Sequence, residues 1–210
     1  MIAIIDMGIS NIGSVMRALE RVGAPRVERA TADNLSDATA VLLPGVGAFG
    51  DGMASLEQQG LTAKLRQIAA WGTPIFGICL GMQLLAESSE EHGHHAGLGL
   101  IRGHVVRLQT TQPGDRVPNI GWSDVTPTRK STLFPDGTGD SFYHVHSFRL
   151  APADPSVVAA TISFSGENIP VAIEQGNLFG VQFHTEKSQD GGLDLLAAFL
   201  SHLRRLGRID

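Results

Sequence analysis

The first half of the chain alternates between short apolar runs and segments whose apolar residues recur every three or four positions. The run from Ile2 to Asp6 predicts a strand. Asn11 is then a candidate helix N-cap, and the apolar positions behind it keep helical spacing up to a stop at Gly23. Residues 26–30 and 40–43 predict two further strands. This alternation is typical of a parallel sheet with helices on its faces.

The pattern continues to the middle of the chain and then changes. Residues 56–71 are predicted to be helical with a break at Gly60, and the apolar run that ends at Cys79 predicts a buried strand. Beyond residue 104 the predicted strands are 105–108, 141–150, 157–164 and 170–183, and an amphipathic closing helix is predicted at 193–206. We therefore expect one α/β domain over residues 1–210, with an open, mostly parallel sheet flanked by helices and a β-rich second half.

Size and charge narrow the class of protein. The 210 residues suffice for one domain with a sizeable core, and the net charge of −5 with scattered basic residues lacks the footprint of a nucleic-acid-binding protein. No apolar run approaches the roughly 20 residues that span a bilayer, and the first residues resemble a strand rather than a signal peptide. One cysteine cannot form an internal disulfide, which fits a reducing compartment. We expect a cytoplasmic protein that binds neither nucleic acid nor membrane.

The single cysteine lies between a predicted strand and a helical pattern. Gly77-Ile78-Cys79-Leu80-Gly81 has the spacing of a nucleophile elbow, with cysteine in place of serine. The glycines leave room for a strained turn, and the N-terminus of the following helix favours the thiolate. Cys79 is therefore a candidate nucleophile. A buried apolar cysteine without chemistry remains the alternative at this point.

A base for this nucleophile is available near the end of the chain. His184 follows a strand-like run, and Glu186 lies two residues on, so the two side chains can point the same way. A carboxylate bonded to one imidazole nitrogen fixes the tautomer and supports the imidazolium. Because the carboxyl ends of parallel strands meet at one edge, Cys79, His184 and Glu186 form a coherent candidate triad. A surface His–Glu pair is the alternative.

The glycine-rich segment 45–50 formally matches the dinucleotide fingerprint Gly-x-Gly-x-x-Gly. It does not follow the first strand, Pro44 interrupts the turn, and the expected acidic residue is missing from the segment about twenty positions later. The segment fits an oxyanion loop better, with the N–H groups of Gly47 and Leu80 as donors. A plain turn between strand and helix remains open.

Residues 87–99 are polar and predict a surface loop. Three histidines lie in it, His92, His94 and His95, but no carboxylate or cysteine frame fixes a ligand geometry around them. We therefore expect neither a metal nor an organic cofactor.

Together these segments resemble class I glutamine amidotransferases over nearly the whole chain. The resemblance rests on residues 11–15, 44–50, 77–83, 117–122, 143–148 and 182–188. The elbow and the His-x-Glu segment are shared by the class, whereas 44–50 and Gly121-Trp122 narrow the resemblance to the glutaminase subunits of histidine biosynthesis.

The resemblance implies a reaction and its residues. Cys79 would attack the side-chain amide of glutamine, while His184, held by Glu186, would handle the protons. Glutamate would form through a thioester, and ammonia would leave. The implied glutamine contacts are Gly47, Gln83, Ser147 and Phe148.

The resemblance also implies a partner. Ammonia would pass to a separate cyclase subunit, a (β/α)₈ barrel, within a heterodimer that makes imidazole glycerol phosphate and an aminoimidazole carboxamide ribotide. The positions that match the subunit interface are Asn11, Pro118, Asn119, Trp122, Tyr143 and Lys187. Trp122 is an expected anchor on physical grounds, because tryptophans often dominate interfaces.

Four positions depart from the family pattern. Thr185 stands where proline is usual, Asn119 where histidine is usual, and Met7 and Phe148 where tyrosine is usual. Thr185 leaves the triad intact, whereas Asn119 and Met7 bear on the partner. Three alternatives therefore stay open: a paralogous subunit that aminates a sugar for surface polysaccharide, a non-catalytic binding module, and a cysteine peptidase or hydrolase.

Overall fold

The computed structural model describes residues 1–8, 10–112 and 114–210. The helices are α1 Ile12–Arg21, α2 Phe49–Gln58, α3 Thr62–Ala70, α4 Leu80–Leu84 and α5 Gln189–Arg205. The strands of the first half are β1 Ile2–Ile4, β2 Val27–Arg29, β3 Ala40–Gly45, β4 Ile75–Cys79, β5 Ser88–Ser89, β6 His95–Ala96 and β7 Gly103–Arg107. The strands of the second half are β8 Asn119–Asp124, β9 Thr126–Pro127, β10 Ser141–His146, β11 Phe148–Pro152, β12 Val158–Phe164, β13 Glu167–Gln175 and β14 Leu178–Val181.

The main sheet has the strand order β2-β1-β3-β4-β14-β13-β12-β9. Its pairings are parallel from β2 to β14 and antiparallel from β14 to β9. A four-stranded sheet, β11-β7-β5-β6, and a two-stranded ribbon, β10-β8, lie apart from it. The expected open α/β sheet with a β-rich second half is confirmed.

The core lies on both faces of the main sheet. Ile2 and Ile4 face one hydrophobic cluster with α1 and α5, while Ala3 and Ile5 face a second cluster with α2 and α3. A strand that is covered on both faces needs a continuous apolar run, which is why β3 and β4 are buried throughout. In the part of the chain that the structure describes, no helix has the length and apolarity needed to cross a membrane.

Most predicted elements are confirmed, with shifted ends. The Asn11 side chain accepts from Ser14 N–H at 3.3 Å and caps α1. The predicted helix 56–71 is two helices, broken around Gly60 as expected, but the first begins already at Phe49. Each long predicted strand, 141–150 and 170–183, is split into two strands.

The carboxyl ends of three neighbouring strands, β3, β4 and β14, lie at one edge of the sheet. β4 lies between β3 and β14, with Gly45 paired to Cys79 and Val181 paired to Ile78. Cys79 therefore meets the end of β3 on one side and the segment after β14 on the other. The candidate site lies at this edge.

Candidate active site

The nucleophile elbow forms where β4 ends at Cys79 and α4 begins at Leu80. The backbone of Cys79 has φ 54° and ψ −110°, a conformation that costs energy for any residue with a Cβ. Such strain persists only where the surrounding structure enforces it, and it is typical of functional sites. The side chain is free of any disulfide and only 6% exposed.

Backbone-to-backbone packing enforces this turn. A Cβ on Gly81 would lie 1.6 Å from the carbonyl oxygen of Leu43 on β3, and a Cβ on Gly77 would lie 2.6 Å from the carbonyl group of Gly81. Neither position can carry a side chain without moving main chain. The two glycines of the motif therefore let β3, β4 and α4 approach closely enough to hold Cys79 in its strained conformation.

His184 follows β14, and its main chain is tied on both sides. Its N–H donates to the Tyr143 carbonyl at 3.0 Å, and its own carbonyl accepts from the Ser188 hydroxyl at 2.5 Å. Its Nδ1–H donates to Glu186 Oε1 at 2.8 Å, and both side chains are almost fully buried. This bond orients the imidazole so that Nε2 is the nitrogen available for proton transfer. Thr185, between them, is buried with its hydroxyl unpartnered.

The charge state of His184 follows from its neighbours. Burial lowers its pKa, but the Cys79 sulfur and the Glu186 carboxylate together raise it to about 9. His184 is therefore an imidazolium at neutral pH. Its Nε2 atom is buried and has no partner at normal hydrogen-bond geometry. Catalytic hydrogen bonds often tighten only when substrate binds.

The glycine-rich loop lies beside the elbow. Gly45 ends β3 opposite Cys79, and Gly47, with φ 100°, is exposed in the turn before α2. The N–H of Leu80 belongs to the residue directly after the nucleophile. Met7, one of the four departures, packs against this loop: a Cβ on Gly45 would lie 2.5 Å from Met7 Cε. That Gly47 and Leu80 supply oxyanion donors remains a prediction.

A buried amide pair connects the elbow to β11. Gln83 Nε2 donates to the Phe148 carbonyl at 3.1 Å and to Gln182 Oε1 at 3.0 Å. Gln182 Nε2 in turn donates to Cys79 Sγ at 3.7 Å. Sequence reasoning assigned no role to Gln182. Its position two residues before His184 in an extended segment was the available signal, since alternate residues share a side.

A cavity of about 650 Å³ opens beside Ser147 and Phe148. Its other lining residues are Glu90, Glu91, His92, Val106, Arg107, Gln109 and Arg149. Two glutamates and two arginines therefore line the same space. Such a lining complements a small molecule that carries both an ammonium and a carboxylate group.

The 87–99 segment is more than the surface loop that its polarity predicted. It contains β5 and β6, and Glu91 Oε2 accepts from the Phe49 N–H at 2.8 Å. The first N–H groups of a helix have no partner within the helix, so a carboxylate at this point stabilises the start of α2. The bond lies at the observed start of α2, seven residues before that of the predicted helix. Among the described residues, no group of three or more His, Cys, Asp or Glu side chains could hold a metal ion.

The ribbon β8–β10 carries half of the predicted partner residues: Asn119, Trp122 and Tyr143. Trp122 pairs with Tyr143 across the ribbon with ring centroids 6.2 Å apart, and the Lys187 ammonium lies 5.7 Å from the Tyr143 ring centroid. Ile120 and Trp122 are 61% and 49% exposed on the same side of β8. Ile120 was missed, although the alternation along β8 could have revealed it.

The other predicted interface residues divide into two groups. Asn11 and Pro118 are exposed, at the start of α1 and just before β8. Asn119 is half-buried instead, and its Nδ2 lies 3.5 Å from His146 Nε2 on the inner side of the ribbon. The structure thus gives Asn119 an intramolecular contact.

Comparison with known proteins adds the family. A family profile described as glutamine amidotransferase class-I matches residues 3–203. The chain is 46% identical over 209 residues to imidazole glycerol phosphate synthase subunit HisH of Moorella thermoacetica, covering 98% of this chain and 97% of the relative. It is 43% identical over 206 residues to the subunit of the same name from Aquifex aeolicus, covering 97% of each chain.

Solved structures agree on the fold. A structure titled PurLQS from Thermotoga maritima superposes with a TM-score of 0.72 at 23% identity, covering 98% of each chain. A crystal structure titled glutamine amidotransferase gives a TM-score of 0.68 at 20% identity, covering 97% of each chain. At these identities the likeness concerns the fold alone.

Proposed function

The chain belongs to the class I glutamine amidotransferases, among the imidazole glycerol phosphate synthase subunits, and on this premise we propose how its own residues hydrolyse glutamine. It is the glutaminase subunit, which releases ammonia from glutamine for use by a partner subunit. The observation that carries the residue assignment is the strained elbow of Cys79 beside the buried His184–Glu186 pair. We assign the reaction to a single domain that spans residues 1–210.

Glutamine binds in the cavity beside Phe148. Its α-ammonium group pairs with the carboxylates Glu90 and Glu91, and its α-carboxylate with the guanidinium groups that line the same space. Ser147 and Phe148 contribute main-chain contacts. We place the side-chain amide toward Cys79, since Phe148 at the edge of the cavity is hydrogen-bonded to Gln83 of α4, the helix that begins at the elbow.

The first half of the reaction forms a thioester. The thiolate of Cys79 attacks the amide carbon of glutamine, and the carbonyl electron pair moves onto oxygen. The N–H groups of Gly47 and Leu80 receive this oxyanion, and one such donor is typically worth about 10²–10³ in rate. As the C–N bond breaks, His184 gives its Nε2 proton to the amide nitrogen, and ammonia leaves.

The second half restores the enzyme. Neutral His184 takes a proton from water as the water oxygen attacks the thioester, and the C–S bond then breaks. Glutamate leaves, Cys79 is again a thiolate, and His184 is again an imidazolium. Glu186 accepts the Nδ1–H bond throughout and supports the imidazolium, which favours proton transfer at Nε2 alone.

Ammonia passes to a separate cyclase subunit. We assign the docking surface to Ile120, Trp122, Tyr143 and Lys187, with Asn11, Pro118 and the half-buried Asn119 at its margin, and expect the partner to be a (β/α)₈ barrel. Rotation of a glycine peptide at Gly47 costs little, so partner docking can switch an oxyanion donor in or out. This control avoids wasteful hydrolysis of glutamine by the free subunit.

Glutamate release by the purified chain tests the proposal, measured alone and with a histidine-pathway cyclase plus a ligand of the cyclase active site. We expect weak turnover alone and a sharp rise with the ligand-bound cyclase. Cys79→Ala should lower turnover by roughly a thousandfold or more, since loss of a nucleophile disables the whole triad. Turnover that persists in Cys79→Ala would overturn the residue assignment, whereas indifference to the cyclase would overturn the partner.

A further inference from the structure

One polar group at the site has no part in the mechanism above. The Gln182 side chain is fully buried, yet its amide nitrogen faces the Cys79 sulfur at 3.7 Å. Buried polar groups in proteins are nearly always hydrogen-bonded, so the neighbouring hydrogen bonds determine how this amide is oriented. Those bonds connect Gln182 to Gln83, and Gln83 to the Phe148 carbonyl.

The Phe148 carbonyl sets the direction of that chain. A carbonyl oxygen can only accept, so the two nitrogens that approach it, His146 Nδ1 at 2.9 Å and Gln83 Nε2 at 3.1 Å, must both donate. Gln83 Nε2 also faces Gln182, and as a donor it requires the Gln182 oxygen on that side. The Gln182 nitrogen is thereby forced to point at the sulfur.

The His146 side of the carbonyl is equally determined. With its proton on Nδ1, His146 presents the lone pair of Nε2 to two donors, His144 Nδ1 at 3.3 Å and Asn119 Nδ2 at 3.5 Å. Burial lowers the pKa of His146 to about 4, so this neutral tautomer persists at physiological pH. Two donors that do not titrate near neutrality thus hold the Phe148 carbonyl in place.

We propose that Gln182 is a catalytic residue of the glutaminase reaction: its N–H donates to the Cys79 thiolate and stabilises it, in the orientation that Gln83 and the Phe148 carbonyl impose. This inference rests on the proposed role of Cys79 as nucleophile. The donor stabilises the thiolate before attack and again when the thiolate leaves the thioester, and it loses this charge-assisted bond in the thioester itself. It therefore favours both the resting enzyme and the second half of the reaction.

Alkylation of the full chain by iodoacetamide across pH tests this without glutamine. Cys79 is the only cysteine, so the rate reports on one thiolate. Gln182→Glu keeps the acceptor for Gln83 and replaces the donor that faces sulfur, while Gln182→Met removes both at similar volume. Loss of a hydrogen bond to a charged group should move the midpoint of the alkylation profile up by about one to two pH units in Gln182→Met, and the added carboxylate of Gln182→Glu should move it further.

Asn177→Leu is the matched control at the opposite end of β14. It also removes two side-chain hydrogen bonds, here part-buried ones to the carbonyls of Ala69 and Thr73, but far along the strand from the thiol. We expect it to lower the melting temperature and leave the alkylation midpoint unchanged. An unchanged midpoint in both Gln182 variants, or an equal shift in Asn177→Leu, would overturn the proposal. None of these measurements uses glutaminase activity, so a failure of this proposal can be distinguished from a failure of the proposed function.

Discussion

The elbow and the ribbon are built on opposite principles. Around Cys79, strands β3, β4 and β14 are buried at every position, and main chain packs on main chain. In the ribbon, β8 alternates between exposed and half-buried residues, and its outer face carries apolar side chains that contact solvent. Rigid packing holds a reacting group in a strained conformation, whereas the half-covered ribbon leaves a surface for recognition.

The two regions are nevertheless connected, because strand β10 contributes residues to both. The outer face of β10 presents Tyr143 beside Trp122 and Lys187, while the Tyr143 carbonyl accepts the main-chain N–H of His184. The inner face presents His146, which holds the Phe148 carbonyl. The proposed docking surface and the groups that contact the proposed catalytic residues therefore lie on the two faces of one strand, which would give a short physical route between them.

The largest effect should come from Gly81→Ala, which would abolish the packing that distinguishes the elbow. Its Cβ would meet the Leu43 carbonyl oxygen at 1.6 Å, so main chain must move. We expect the free energy of unfolding to fall by about 3 kcal/mol or more, at the upper end for overpacking, as measured by urea denaturation. Gly13→Ala is the control: a Cβ there would meet only side-chain atoms at ordinary contact distance, the Arg17 guanidinium at 3.4 Å and Asn11 Oδ1 at 3.8 Å. Equal free energies of unfolding for the two variants would show that the close packing at Gly81 does not stabilise the elbow.

An intermediate effect is expected from Trp122→Ala on the ribbon. Loss of a central aromatic anchor should weaken cyclase binding by about 2 kcal/mol, close to thirtyfold in Kd. The stability of the isolated chain should hardly change, because the ring is half exposed. Calorimetric titration with the cyclase measures the first quantity and thermal melting the second. Trp71→Ala removes a tryptophan that is 59% exposed on another surface and should leave Kd unaltered; equal weakening by both variants would remove the ribbon from the interface.

The smallest effect concerns the inner face of the ribbon. Burial, with help from His146 and His184, lowers the pKa of His144 from 6.5 to about 3. As pH falls below 6.5 the unfolded chain takes up this proton first, so stability present above that pH is progressively lost. His144→Phe should reduce the slope of unfolding free energy between pH 5 and 6.5 by up to about 1.4 kcal/mol per pH unit, one proton's worth.

Urea denaturation at several pH values measures this slope. His94→Ala, which changes an exposed histidine, should keep the slope of the original chain. A slope that His144→Phe leaves unchanged would mean that His144 is not kept neutral by the fold. His184 acts with the opposite sign: with its pKa raised to about 9, its contribution is present below pH 6.5 and is lost as pH rises through 9.

Much of the fold follows from local pattern. Continuous apolar runs identify buried parallel strands, and the Asn11 cap and the break at Gly60 mark helix ends through local hydrogen bonding and backbone freedom. The early start of α2 could not be found in this way. At that start the Phe49 N–H has its partner in Glu91, a residue 42 positions away.

The candidate site likewise has features that follow from local sequence and features that depend on contacts between distant segments. The spacing around Cys79 and the two-residue spacing of His184 and Glu186 identify chemistry because a turn and an extended segment fix where neighbouring side chains point. The spacing of residues along the sequence does not show which residues of distant segments lie opposite each other. Asn119, expected at the partner surface, has a contact with His146 because the register of β8 and β10 sets the two residues opposite each other.

By itself, the sequence determined the α/β class, the family and the identity of the candidate nucleophile, base and orienting carboxylate. These depend on residue type and short-range spacing, which are properties of the chain. Only the tertiary structure decided that Gln182 faces the sulfur, through Gln83 at a separation of 99 residues. A hydrogen bond depends on distance and direction between groups, and for distant segments those are set by strand order and packing rather than by position in the sequence.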